Sequence, residues 1–164
     1  MTTQGDYDHV QRGRIHWLIY AVATICTWAG IAVLDGTVEP EADFREPGLW
    51  LFFSVAAVSV LLAMNFQYMR VRDGGDVLQI NFGPLPLLSR EVSYGDIESV
   101  TQGRTSVIDG WGVHVMPGRG WTWNIWGRDC AELRVDGAKL RVGTNDPAGL
   151  VALIQKRMAE SVKA

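Results

Sequence analysis

The sequence has little of what metal-binding or disulfide-stabilised domains require. Its 164 residues include only two cysteines, Cys26 and Cys130, and three histidines that lie on separate predicted elements. Two cysteines that are 104 residues apart form neither a disulfide framework nor a zinc site. No histidine is followed three or four residues later by a second metal ligand, and we therefore expect no metal and no cofactor.

The motifs of nucleotide binding and covalent catalysis are also absent. The chain contains no GxGxxG, Walker A or GxSxG sequence. Asp109, Asp129 and Asp136 each stand beside glycine or arginine, a setting that turn formation explains better than acid–base catalysis. We therefore expect a protein that is not an enzyme. The net charge of −3 argues against nucleic acid as a partner.

Charge is missing from two long blocks of the chain. Residues 15–34 and 48–69 contain no Asp, Glu, Lys or Arg, and each is long enough for the roughly 20 helical residues that a bilayer core requires. Helices that are apolar on all sides would otherwise need a large protein around them. A cleaved signal peptide is the alternative for the first block, but a second block follows it. The sequence predicts a transmembrane helical hairpin over residues 15–69.

Arginine is distributed unevenly around these two blocks. Residues 35–47 carry a net charge of −4 and only one arginine, whereas arginines precede the first block and follow the second (Arg12, Arg14, Arg70 and Arg72). Because cytoplasmic flanks are enriched in Lys and Arg, we expect both termini in the cytoplasm, with residues 1–14 as a cytoplasmic segment and the acidic loop outside. This is the topology of a multi-pass protein of the cytoplasmic (inner) membrane.

The remainder of the chain, residues 70–164, has the pattern of a small antiparallel sheet. Apolar and charged residues alternate over 131–135 and again over 138–142, and Asp136-Gly137 separates the two runs. An Asp-Gly pair in this position is a strong signal for a type I′ hairpin. Further alternating segments, bounded by Gly, Pro and Asp, bring the total to about seven short strands, which is typical of a barrel or sandwich.

The chain ends in a predicted amphipathic helix. Asp146 and Pro147 match the N-cap and first helical position. Apolar residues then follow at helical spacing (Leu150, Leu153, Ile154 and Met158). We expect this face to pack into one open end of the strand domain.

Three segments of the chain resemble a known family. They are residues 94–100, which include Tyr94-Gly-Asp-Ile97, residues 121–127, which read Trp-Thr-Trp-Asn-Ile-Trp-Gly, and residues 141–147, which lead into the final helix. Together with the two spans, they resemble small bacterial membrane proteins that carry a pleckstrin-homology-like (bacterial PH) domain. The resemblance implies an α+β membrane protein in which residues 70–164 form a cytoplasmic PH-like domain, a seven-stranded antiparallel barrel or sandwich capped by a C-terminal helix.

This family resemblance specifies a fold better than a function. Two non-enzymatic functions remain. In the first, the chain is an interaction module or accessory subunit that binds a membrane or cytoplasmic protein, with oligomer formation left open. In the second, it recognises anionic lipid headgroups, which normally requires a cluster of basic residues. In both cases the lipid bilayer is an expected partner.

Tryptophans are concentrated in one predicted hairpin of the domain. Strand geometry places Trp121 and Trp123 on one face and Trp126 on the other. We expect Trp121 and Trp123 in the core, while Trp126 either covers the sheet edge or forms an exposed interaction surface. Aromatic residues and arginine are enriched at such surfaces. The residues proposed for the surface are Trp126, Arg104, Arg119 and Arg128.

Overall fold

The computed structural model describes residues 7–39, 42–85, 87–105, 112–118 and 120–161, with only the backbone of residues 42–44 and 116. The helices and strands, in chain order, are β1 (Asp8–Arg12), α1 (Ile15–Leu34), α2 (Ala42–Asn65), β2 (Tyr68–Asp73), β3 (Val77–Phe82), β4 (Ser89–Ser93), β5 (Ile97–Arg104), β6 (Gly112–Met116), β7 (Gly120–Asn124), β8 (Asp129–Val135), β9 (Ala138–Gly143) and α3 (Pro147–Ser161). A 3-10 turn, Tyr94–Asp96, joins β4 to β5.

These elements form two compact units. The helical unit, Arg14–Gln67, contains α1 and α2. The β unit contains the nine strands and α3, and its described residues are 7–13, 68–85, 87–105, 112–118 and 120–161. The chain is therefore an α+β protein with two apolar helices, two β-sheets and a C-terminal helix. Strand β1 lies within residues 1–14, the segment that was expected to be separate from the folded domain, and it belongs to the β unit.

The two apolar helices differ in how closely they follow the charge-free blocks. Helix α1 occupies the first block completely. Helix α2 begins at Ala42, six residues before the second block starts, and ends at Asn65, four residues before that block ends. The last two residues of the block, Tyr68 and Met69, belong to β2. Small residues let the helices approach each other, since a Cβ at Gly30 would lie 2.9 Å from Cζ of Phe53. By length and composition, both helices could cross a membrane.

The first sheet has the strand order β1-β2-β3-β4, and all of its pairs are antiparallel. Strands β2 and β3 alternate strictly between buried and half-buried side chains, as the period of a strand with one core face requires. The buried members fill the core on that face (Met69, Val71, Leu78, Ile80 and Phe82).

The second sheet has the strand order β5-β8-β9-β7-β6. The predicted Asp136-Gly137 hairpin between β8 and β9 is confirmed, with positive φ angles of 48° and 73° at the two turn residues. Strands β6 and β7 form the predicted hairpin that carries Trp121 and Trp123. The core lies where the two sheets meet, and there the rings of Phe82 and Trp123 are 5.8 Å apart.

Two features of the sheets correct the expected seven-stranded antiparallel domain. The described residues contain nine strands in sheets of four and five, and one of the additional strands, β1, comes from before the helices. In addition, β7 and β9 are parallel, with Trp121 opposite Leu140 and Trp123 opposite Val142. Alternating hydrophobicity reveals that a segment is a strand, but it carries no information on the direction of a partner that is distant in sequence.

Helix α3 begins as the sequence predicts. The Asp146 carboxylate accepts a hydrogen bond from the Gly149 amide at 3.0 Å, and Pro147 is the first helical residue. The helix packs against the 3-10 turn, β5 and β8. Leu150, Val151 and Ile154 are buried, whereas Leu153 and Met158, which were also expected in the core, are only half-buried.

Candidate functional site

The chain passes between its two units at one end of the first sheet. Arg12, the last residue of β1, pairs with Tyr68, the first residue of β2. The amide of Gly83 donates to the Tyr68 carbonyl at 2.8 Å, and the Phe82 amide donates to the Leu88 carbonyl at 2.9 Å. We call this edge of the β unit the junction end. Only residues 13–14 and 66–67 separate it, along the chain, from α1 and α2.

The turn between β7 and β8, residues 125–128, is fixed near the junction end. The side-chain amide of Gln11 donates to the Trp126 carbonyl at 2.7 Å, and Gln11 directly precedes Arg12. From the other side, the side-chain amide of Asn124 donates to the Gly127 carbonyl at 3.1 Å. Gly127 has a φ of 81°, which favours glycine. The backbone of the turn, including the Trp126 carbonyl, is therefore held by side chains from β1 and β7.

Two arginines of the predicted surface flank this turn. Arg104 ends β5, is 71% exposed, and forms an ion pair with Asp129 at 3.1 Å. Arg128 is exposed, and its Nε donates to the Thr105 carbonyl at 3.4 Å. The Thr105 amide donates in turn to the Arg128 carbonyl at 2.6 Å. Backbone and side-chain contacts thus bring both guanidinium groups to the β7–β8 turn.

Three of the four residues predicted for the surface therefore come together. Trp126, Arg104 and Arg128 occupy one region, which we call the turn surface, while Arg119 lies outside the described residues. The Trp126 side chain is half-buried, so it has both a covered and an accessible part. The pairing of Arg104 with Asp129 reduces the net positive charge of the region.

Trp121 differs from the expectation that it would be buried. Its side chain is 40% exposed, whereas Trp123, two residues later on the same face, is 6% exposed. The guanidinium carbon of Arg90 lies 5.9 Å from the centre of the Trp121 ring, a cation–π distance. Val115, opposite Trp121 on β6, is also exposed. Sequence reasoning missed this patch because the end of a strand face can extend beyond the core.

A buried ion pair was also missed at the sequence level. Both Nε and Nη2 of Arg157 contact Oδ2 of Asp73, at 2.9 and 2.6 Å. The Tyr94 hydroxyl and the Gly75 amide donate to Oδ1, at 3.1 and 2.9 Å. Both carboxylate oxygens are therefore occupied within the protein. A cavity of about 370 Å³ lies beside Arg157 and Tyr94, but the hydrogen bonds of Asp73 already fix helix α3 to the first sheet.

One face of the second sheet carries a polar row, in which Thr122 and Arg141 are buried. Thr101, Glu132, Arg141, Thr122 and His114 are consecutive partners across its five strands. Burial alone would raise the pKa of Glu132, but hydrogen bonds from Lys139 and Arg141 outweigh it and lower that pKa. In the part of the chain that the structure describes, no three His, Cys, Asp or Glu side chains are grouped to hold a metal ion.

No protein-family model, curated protein or solved structure matches this chain.

Proposed function

We propose that the chain is a membrane-anchored, non-enzymatic interaction module that presents its β unit at the cytoplasmic face of the membrane. The proposal does not depend on the PH-like resemblance, because the β unit has sheets of four and five strands. The strand before α1 and the parallel β7–β9 pair also depart from that resemblance.

Exposed apolar surface on the two helices carries this proposal. Trp17, Trp28 and Trp50 are 70%, 67% and 76% exposed, and aliphatic residues along both helices are exposed as well (Leu18, Ile25, Val58, Leu61). Apolar surface of this extent requires an apolar surrounding, and a bilayer supplies one. Trp17 also stands near the start of α1, and Trp50 stands near the start of the charge-free block 48–69 within α2, where an aromatic belt would form at the membrane interface.

The pairing of β1 with β2 supports an even number of membrane crossings. One strand precedes α1 and the other follows α2, and the two pair over residues 8–12 and 68–72. Paired strands have to lie on the same side of a membrane, so the helices between them would form a hairpin. The arginines that flank the hairpin support the cytoplasmic side for the β unit.

A reporter that works only outside the cytoplasm tests this topology. Fused after Ala164, the reporter is expected to be silent, because the C-terminus lies in the cytoplasm. Inserted in the acidic loop near Glu39, the same reporter is expected to be active. Activity at Ala164 would reverse the orientation, and equal silence at both sites would argue against the membrane hairpin.

The turn surface is the proposed contact for a protein partner. It combines an accessible part of an indole with two exposed guanidinium groups, the side chains most enriched at binding hot spots. In detergent extracts, Trp126→Ala is expected to reduce co-purification of the partner. Because Trp126 is only half-buried, thermal stability should fall far less than for Trp123→Ala, which removes a core ring and should cost about 3–5 kcal/mol. Equal losses of stability would assign Trp126 to the core instead.

Recognition of anionic lipid headgroups is the second candidate function. It is favoured by the position of Arg128 and Arg104 beside the junction end, since each cation near an anionic bilayer contributes about 1 kcal/mol. It is disfavoured by Asp129, which pairs with Arg104.

Native mass spectrometry of the full chain, released from detergent micelles, separates the two functions. If lipid is the ligand, Arg104→Gln and Arg128→Gln should lower the number of retained phosphatidylglycerol molecules, and Trp126→Ala should not. If a protein is the partner, retained lipid should be unchanged by all three variants. A drop in retained lipid with both arginine variants would favour the second function over the first.

A further inference from the structure

The loop between β3 and β4 is apolar although it lies on the surface. Residues 83–88 read Gly-Pro-Leu-Pro-Leu-Leu and contain no charged or hydrogen-bonding side chain. Pro84 and Leu87 are exposed, and Pro86 lies outside the described residues. Leu87 is 66% exposed, more than the exposed large apolar residues on the strands of the β unit (Val10, Val115 and Trp121). Surface loops are ordinarily polar, so this composition requires a reason.

The strand register locates this loop at the junction end. Strand β3 runs antiparallel to β2 and ends at Phe82, which pairs with Met69. Gly83 donates to the carbonyl of Tyr68, and Tyr68 is three residues after the end of α2. The loop thus starts beside the point where the chain continues into the apolar helices.

The opposite end of the same sheet has a different chemistry. The β2–β3 turn, residues 74–76, reads Gly-Gly-Asp, and its Asp76 is exposed. Strand β3 has six residues, so the two turns are separated by roughly 17 Å at about 3.3 Å per residue. Exposed apolar side chains therefore occur in the turn at the junction end of the sheet, and a charged side chain occurs in the turn at its opposite end.

We infer that the loop between β3 and β4 inserts Leu87 and its apolar neighbours into the interfacial layer of the membrane. This loop would be a third membrane contact, in addition to α1 and α2. This inference rests on the proposed membrane anchoring. A two-residue connection reaches only about 10 Å even when extended, so the junction end stays close to a bilayer that α1 and α2 cross.

A fluorescent probe at three positions tests the inference on the full chain. Leu87→Cys, Asp76→Cys and Val58→Cys are made in a Cys26→Ala background, labelled with NBD, and reconstituted in phosphatidylcholine vesicles. Cys130 is fully buried and stays in place, and the background chain without an added cysteine measures any labelling of it. Emission wavelength, iodide quenching from water, and quenching by lipids that carry a nitroxide at headgroup or acyl depth are recorded.

We expect an intermediate depth for Leu87. The probe at position 87 should emit at a shorter wavelength than the probe at position 76, and iodide should quench it less. The headgroup nitroxide should quench the probe at position 87 more than the acyl nitroxide does. Val58, within α2, should show the reverse preference. If Leu87 behaves like Asp76 while Val58 is protected, the loop inference is wrong and the membrane anchoring stands. If all three positions are open to iodide, the membrane anchoring itself is wrong.

Discussion

At residue 73 a carboxylate is buried beneath helix α3. The Asp73 side chain is 1% exposed and its partner Arg157 is 19% exposed. Burial alone raises the pKa of Asp73, but hydrogen bonds from Arg157, the Gly75 amide and Tyr94, with the charge of Arg157, outweigh it and hold that pKa below the ordinary value of 3.8. The pKa of Tyr94 is raised mainly by burial and, to a smaller extent, by the negative charge of Asp73.

These shifts predict a contribution of the ion pair to acid sensitivity. Because the folded-state pKa of Asp73 is lower than its unfolded-state pKa, the stabilisation is complete above the unfolded value and is lost as the pH falls through the folded value. Asp73→Asn should lower the free energy of unfolding by about 3–5 kcal/mol at neutral pH, and by progressively less below about pH 4.

Asp8 provides a matched control for this prediction. It pairs with Arg70, but both side chains are 40% exposed, and an exposed pair contributes about 1 kcal/mol or less. Denaturant titrations of Asp73→Asn and Asp8→Asn at several pH values compare the two. If both variants lost the same free energy of unfolding at neutral pH, the structural role of the buried pair would be contradicted.

The sequence indicated which residues are apolar or charged, but not which partners they meet. Arg157 lies in the later turns of a predicted helix, where a cation near the helix C-terminus is sufficient explanation. Its actual partner, Asp73, is 84 residues away and precedes two glycines, a typical turn signal. Similarly, Trp121 and Trp123 share a face by periodicity, but only the packing of the sheets determines which of them is covered.

At the level of elements, local sequence signals predicted hairpins correctly, whereas pairings between strands distant in sequence were not predicted. The β8–β9 hairpin follows from the Asp-Gly turn alone, since the strands are adjacent in sequence. The parallel pairing of β7 with β9 has no such local signal. At this pairing Gly120 approaches the β9 backbone so closely that a Cβ would overlap the Lys139 carbonyl.

This close approach yields a prediction for the β6–β7 hairpin. Gly118 and Gly120 both have positive φ, 72° and 81°, so either alanine variant incurs a backbone strain of about 1–2 kcal/mol. Gly120→Ala in addition forces β7 away from β9, whereas a Cβ at Gly118 meets nothing within 4 Å. In thermal unfolding, Gly120→Ala should lower the Tm clearly more than Gly118→Ala does. Equal losses would mean that the two strands are not in close contact there.

At the level of the whole molecule, the helical hairpin is an insertion between two paired strands. Arg12 and Tyr68 are direct partners, so the β unit is continuous across the 55 intervening residues, 13–67. A fragment that starts at residue 70 would lack β1 and the first two residues of β2. The exposed edge left on β2 would then be available for aggregation.

Removing the hairpin tests this organisation. Replacing residues 13–67 with Asn-Gly joins β1 to β2 through a two-residue turn that suits antiparallel strands. We expect this variant to be soluble without detergent and monodisperse in size-exclusion chromatography, with a cooperative thermal transition. The fragment of residues 70–164 is the comparison, and we expect it to aggregate. A soluble, cooperatively folded fragment together with an aggregating joined variant would show that β1 is dispensable.

The sequence by itself determined the local properties of this protein. The absence of charge placed the apolar helices, alternation located strands β3, β8 and β9, and an Asp-Pro pair marked the start of α3, because each of these signals arises between neighbouring residues. Only the tertiary structure decided that β1 pairs with β2 across the helices, that β7 and β9 are parallel, and that Asp73 meets Arg157. These contacts join residues far apart in the chain, and their free energy depends on packing and burial that no local pattern encodes.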